Sequence, residues 1–207
     1  MRPGARTVLL VLGLHDALPG AVAQERPPPP HVSCAECAVP AVETMASSKD
    51  GYTTYRLNVA LGGVATNIYT IFGDSTDVMS IPAAFQVPAP FGSDIGAPNA
   101  AFIAFNPDVA FDSYLTVGDE NPASGAVSTI GFDFSAWSES AGIDTTDGAL
   151  FYMDPDSGPA SNGAMTFAQL TLANGVYAAG GTASAELQGR STGGGVDWSG
   201  YAVNWQW

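Results

Sequence analysis

Asp154 and Asp156, within Asp154-Pro155-Asp156-Ser157-Gly158, put carboxylates at alternating positions ahead of a glycine, the arrangement with which a calcium loop begins. Asp74 with Asp77, or Asp144 with Asp147, would add hard oxygen ligands. Met165 stands where an EF-hand needs its last glutamate, so that motif is excluded. Acidic turn residues give a simpler account of the same run. Calcium is the one cofactor for which the chain offers ligands, and no other is expected. Sugar binding is a second chemistry. Trp137, Trp198, Trp205 and Trp207, with Tyr114 and Tyr201, offer flat faces for stacking on a pyranose, and Trp198 and Tyr201 are singled out for it. Burial competes with that role: Tyr201, Val203, Trp205 and Trp207 alternate and so share one face of a strand.

What the chain lacks narrows the chemistry further. From Asp50 to Trp207 there is no histidine, cysteine or lysine, and the only bases are Arg56 and Arg190. The usual general base, the soft and amine nucleophiles and the ligands of transition metals are therefore missing, and no enzymatic activity is expected. Glycoside hydrolysis needs only two carboxylates. Asp112, Asp133 and Asp197 are the least loop-like acids, but nothing in the sequence pairs them. Arg56 and Arg190 are expected to pair with carboxylates rather than to hold an anion.

Cys34 and Cys37 form a C-x-x-C pair with no second pair and no βαβ context, and His31 alone does not complete a zinc site. A local disulfide, or bridges to neighbouring chains that lock an assembly, are the remaining uses. Arg2 and Arg6, an apolar run over 8–14 and the small residues Ala21 and Ala23 have the layout of a secretory signal over 1–23, although His15 and Asp16 shorten the run. The protein is then secreted, to the cell surface or beyond. Residues 24–49 read as an extended tether, with polyproline geometry at Pro27, Pro28, Pro29 and Pro30, where O-linked sugar is expected. No N-x-S/T triplet occurs, so N-linked sugar is not.

The formal charge of -14 on 207 residues repels phosphates and anionic headgroups, which argues against nucleic-acid and membrane partners. With 46% hydrophobic residues the chain is nonetheless a folding one, not an acidic tail.

The elements that must position these residues are strands. Tyr55, Leu57, Val59 and Leu61 alternate with polar neighbours, and 65–72 would return antiparallel as a first hairpin. Further strands are expected at 78–81, 85–87, 110–117, 127–134, 150–153, 165–172, 176–187 and 201–205, with a loop over 96–107 carrying one helical turn near Ala100. Asn174-Gly175 is the strongest hairpin signal. About eight or nine short strands without a long helix predict an all-β fold: a β-sandwich of jelly-roll or immunoglobulin-like type over 50–207.

Asp50-Gly51-Tyr52-Thr53-Thr54-Tyr55-Arg56-Leu57, Ile68-Tyr69-Thr70-Ile71-Phe72-Gly73, Phe111-Asp112-Ser113-Tyr114-Leu115-Thr116-Val117-Gly118 and Gly189-Arg190-Ser191 with Gly193-Gly194-Gly195-Val196-Asp197-Trp198 resemble a secreted module. That module is found, often repeated, in extracellular surface and fibre proteins of algae and aquatic microbes. The third segment is the most specific. The resemblance implies a β-rich structural module with no assigned catalytic residues. On it rests the expectation of a non-enzymatic subunit of an extracellular filament or coat, self-associating through the N-terminal segment and a sandwich edge. The alternative is a lectin-like carbohydrate-binding module, with or without calcium.

Overall fold

Short runs of β-branched and aromatic residues, interrupted every few positions by glycine or proline, cannot sustain helices and pair as strands instead. The computed structural model describes residues 31–160, 163–193 and 196–207, without the side chains of Pro122 and Tyr201. The expected signal segment and Pro27, Pro28, Pro29 and Pro30 lie outside the described residues. The strands are β1 (His31–Ser33), β2 (Ala38–Thr44), β3 (Tyr52–Leu61), β4 (Thr70–Phe72), β5 (Met79–Ile81), β6 (Tyr114–Leu115), β7 (Val127–Ile130), β8 (Ile143–Thr145), β9 (Ala149–Tyr152), β10 (Ala164–Ala173), β11 (Thr182–Arg190) and β12 (Asp197–Gln206). Eight of them form one sheet, in the order β1-β12-β11-β4-β9-β7 with β5 joined to β11 and β8 to β5. The other four form a second sheet, β2-β3-β10-β6.

Leu57, Val59, Phe167 and Leu170 from the smaller sheet meet Ile71, Leu150, Leu187, Trp198 and Trp205 from the larger in one buried cluster. Two sheets over a shared core are the all-β, two-layered architecture expected. Strands outnumber the eight or nine anticipated because several hold only two to four residues.

Local signals misjudged which strands are partners. β3 and β4 belong to different sheets, so 62–69 is an arch across the sandwich and not a hairpin. Asn67 fixes that arch: its side chain donates to the Pro155 carbonyl and accepts from the Arg190 N–H. Asn174-Gly175 likewise opens a helical turn, α1 (Asn174–Tyr177), that carries the chain from β10 over to β11. Facing sheets stand about 10 Å apart, a gap that a two-residue turn cannot cross. The strand expected over 110–117 is a 3₁₀ helix, Pro107–Phe111, followed by the short β6. The helical turn near Ala100 is present as the 3₁₀ helix Ala100–Ala104.

The tether expected over 24–49 is, from His31 onward, part of the sandwich. β1 adds to β12 in parallel, and β2 pairs with β3 from Ala38↔Leu61 to Thr44↔Tyr55. Few large apolar residues are needed, because edge addition is driven by backbone hydrogen bonds and only the small Cys34, Cys37 and Ala38 enter the core. Cys34 and Cys37 are bonded to each other and buried, so neither serves as a bridge to another chain. Closing so short a loop is worth about 2 kcal/mol on the chain-entropy scale. An unfolding free energy lowered by that amount on reduction, read from a denaturant titration and with the fold retained, is the expected measurement.

In β12 the register moves from Leu187↔Gly200 to Ala185↔Val203, so Tyr201 and Ala202 together oppose Glu186. Ala202 takes a left-handed φ of 51° at this bulge. The extra residue resets the alternation, which lets Trp198 on one side of the bulge and Val203 and Trp205 on the other all reach the core.

Candidate functional site

The segment 111–118, the most specific part of the resemblance, is a structural tie. Asp112 is fully buried, and its two carboxylate oxygens accept the Val87 N–H at 2.7 Å and the Ser93 N–H at 2.7 Å. Ser113 accepts the Thr171 N–H through its hydroxyl, and Gln169 donates to the carbonyls of Ala110 and Asp112. These bonds hold 82–113 against β10, so residues on both faces of β10, Gln169 and Thr171 as well as Leu170 and Leu172, are buried. Burial pushes the Asp112 carboxyl up to about 6 against the opposing pull of the Val87 and Ser93 N–H groups. Tyr114 donates to Glu120, which also pairs with Arg56 at 3.2 Å.

The residues singled out from the sequence take other roles. Trp198 has 0% exposure and donates from its indole to the Asn67 carbonyl, so it is core and presents no face to a sugar. Tyr201's side chain lies outside the described residues. Trp137 and Trp205 are buried too, and Trp205 stacks on Phe167 at 4.6 Å. Trp207 is half-buried against Tyr55.

Asp154 caps the 3₁₀ helix Pro155–Ser157, accepting from the Asp156 N–H and the Ser157 hydroxyl. Asp156 and Asp197 share Arg190, at 2.7 and 2.9 Å. A carboxylate already bound to a guanidinium is a poor calcium ligand, and among the described residues no group of three or more His, Cys, Asp or Glu is placed to hold a metal ion. Asp112, Asp133 and Asp197 fall in three separate settings: a buried tie, the cap of the 3₁₀ helix Phe134–Ala136, and the Arg190 pair. Both arginines pair with carboxylates, as expected. Among the described residues no helix is long and apolar enough to cross a membrane.

Three features remain. Two adjoining clefts of about 310 and 390 Å³ share Thr146 and Asp147. The first is lined by Asp133, Asp144 and Asp147, the second by Thr70, Phe72, Asp74 and Gln188. The second feature is the edge of the larger sheet at β7, which among the described residues pairs with β9 alone. Its last residue, Ile130, is 63% exposed. The third is Glu186 on β11, which is 1% exposed with neither carboxylate oxygen hydrogen-bonded.

The chain matches no known family model, no curated protein and no solved structure. Function therefore has to be argued from these surfaces. Neither the β7 edge nor Glu186 was visible in the sequence, for different reasons. An edge is defined by the absence of a neighbour, which depends on strand order. Glu186 sits at a position that alternation assigns to solvent.

Proposed function

We propose that the protein is a non-enzymatic structural subunit of an extracellular filament or surface coat, whose copies join through a free strand edge. The observation that carries this is the contrast between β7 and the other edges. β2 is blunted by Pro40 and Glu43, β8 carries Asp144, and β1 and β6 have three and two residues. β7, Val127-Ser128-Thr129-Ile130, has no charge and no proline, and unpaired backbone on such an edge is a template for another strand. Ile130 stands beside Ala149 on the outer face and would pack against an incoming chain. The N-terminal contribution narrows to residues before His31, because 31–44 is mostly paired within its own chain. The secretory signal and the resemblance supply the extracellular setting.

Light scattering and electron microscopy of the secreted protein test this. The wild type should form a high-mass species that grows with concentration, whereas Ile130→Lys should stay monomeric with its melting temperature unchanged within about 2 °C, as for most exposed sites. A wild type that is monomeric at every concentration removes the structural-subunit reading; filaments formed by Ile130→Lys remove the β7 edge.

The adjoining clefts favour carbohydrate binding as a second reading. They group carboxylates, hydroxyls, an amide and the Phe72 ring, the functional groups that grip sugar hydroxyls and faces. Binding on a glycan array that Phe72→Ala abolishes would support it, and a silent array would remove it.

A further inference from the structure

Strand β11 has a partner that breaks in two. β4 pairs with its residues 186–188, β5 meets it at Ser184, and 73–78 loops out between them. Ala183, Ala185 and Leu187 enter the core, so Glu186 projects from the opposite face, where Ser184 and Gln188 are only half-buried. Glu186 is nevertheless 1% exposed, and neither of its oxygens finds a hydrogen-bond donor among the described residues.

The groups that act on it are carboxyls of the 73–78 turn. The Asp77 carboxyl lies within hydrogen-bonding reach and Asp74 adds a second negative charge. Asp74 stays ionised, because the N–H groups of Thr76 and Asp77 donate to its Oδ1 at 2.5 and 3.0 Å and hold its carboxyl below the usual range. Among the described residues no cation compensates. Lys49 is engaged with Asp108, Arg56 with Glu120, and Arg190 with Asp156 and Asp197. Of the described neighbours on the same face, Thr70, Phe72, Ser184 and Gln188 carry no charge; Tyr201, opposite Glu186 on β12, has a side chain outside the described residues.

We propose that the 73–78 turn is a proton-dependent latch, seated on β11 beside the buried Glu186 while that carboxyl is protonated and pushed off when it ionises against the acidic turn. The remainder of the seating is light. The Gly73 N–H donates to the Gly148 carbonyl, and the Ser184 hydroxyl donates to the Val78 carbonyl. At its root Gly73 is pinched between the Thr145 carbonyl and the Met79 N–H, with no room for a Cβ, so the turn hinges at a fixed point. Lifting it would open the cleft that Phe72, Gly73 and Asp74 line.

Desolvation first, then the charge of Asp74 and the contact with Asp77, push the Glu186 carboxyl up to about 7. A group raised on folding contributes stability that is complete below its unfolded value and is lost as pH rises through the folded one. The loss therefore falls between about pH 4.5 and pH 7 to 8. The latch stands apart from the assembly reading, since β7 is not part of it.

Melting curves and hydrogen exchange at pH 5 and pH 8, in chelator and, separately, with added calcium, test the latch. The wild type should lose about 5 °C in melting temperature between the two. Glu186→Gln should lose markedly less, and Asp77→Asn, which leaves the burial and the Asp74 charge in place, should fall between that variant and the wild type. Amides of 73–78 should exchange faster at pH 8 than the intrinsic rates account for in the wild type, and not in Glu186→Gln. An equal pH-dependence in wild type and both variants overturns the proposal. So does a calcium-induced stabilisation at pH 8 that Glu186→Gln removes, because a cation would then occupy the place assigned to the proton.

Discussion

Trp198→Ala is expected to lower the unfolding free energy by about 3–5 kcal/mol, the range for removing a large buried aromatic. The indole fills the core with 0% exposure, and its N–H satisfies the Asn67 carbonyl, so the substitution leaves both a void and an unpaired acceptor. Asn67 matters beyond that bond, because it fixes the arch between β3 and β4. At roughly 2–4 °C per kcal/mol for a chain of this size, the melting temperature should fall by about 10 °C or more. Trp198→Phe, which keeps most of the volume and loses the donor, should cost distinctly less. A drop below about 1 kcal/mol in a denaturant titration of Trp198→Ala would place the ring at the surface and restore it as a sugar platform.

Asp112→Ala removes the acceptor of two buried N–H groups, those of Val87 and Ser93, and each such orphan costs about 1–3 kcal/mol. A loss of about 2–5 kcal/mol is expected, concentrated in 82–113, where amide exchange should accelerate first. Asp112→Asn should recover part of it, since one oxygen still accepts while the amide turns a donor toward the other N–H. The pH dependence has a definite sign. The Asp112 carboxyl is raised by burial to about 6, so its contribution is complete below the ordinary carboxylate value near 4 and declines as pH passes through about 6. Asp112→Asn should flatten that part of the curve. Unchanged exchange at Val87 and Ser93 in Asp112→Ala would show that other contacts hold the segment.

These two residues illustrate how much of the molecule could be read in advance. Trp198 and Asp112 both drew attention by type, one as a stacking ring and the other as an acid outside a turn. Their neighbours decide the role. The indole meets a carbonyl from an arch more than a hundred residues away in sequence, and the carboxylate meets two amides from a coil that no periodicity marks. The two arginines were read correctly because so few bases among so many acids leave little alternative to ion pairing.

Composition and period-two alternation were enough to establish the strand class and the two-layered core, because burying one face of a strand is a local requirement written in every second residue. Long-range contacts alone decided the pairing. β3 and β4, or β10 and β11, are neighbours in the chain yet lie in opposing sheets. The small residues of 31–44 take up edge positions that backbone hydrogen bonding holds whatever the side chains are. The free edge at β7 and the buried Glu186 beside the 73–78 turn follow from that arrangement, since an edge and a buried carboxyl are defined by what packs beside them and not by their own sequence.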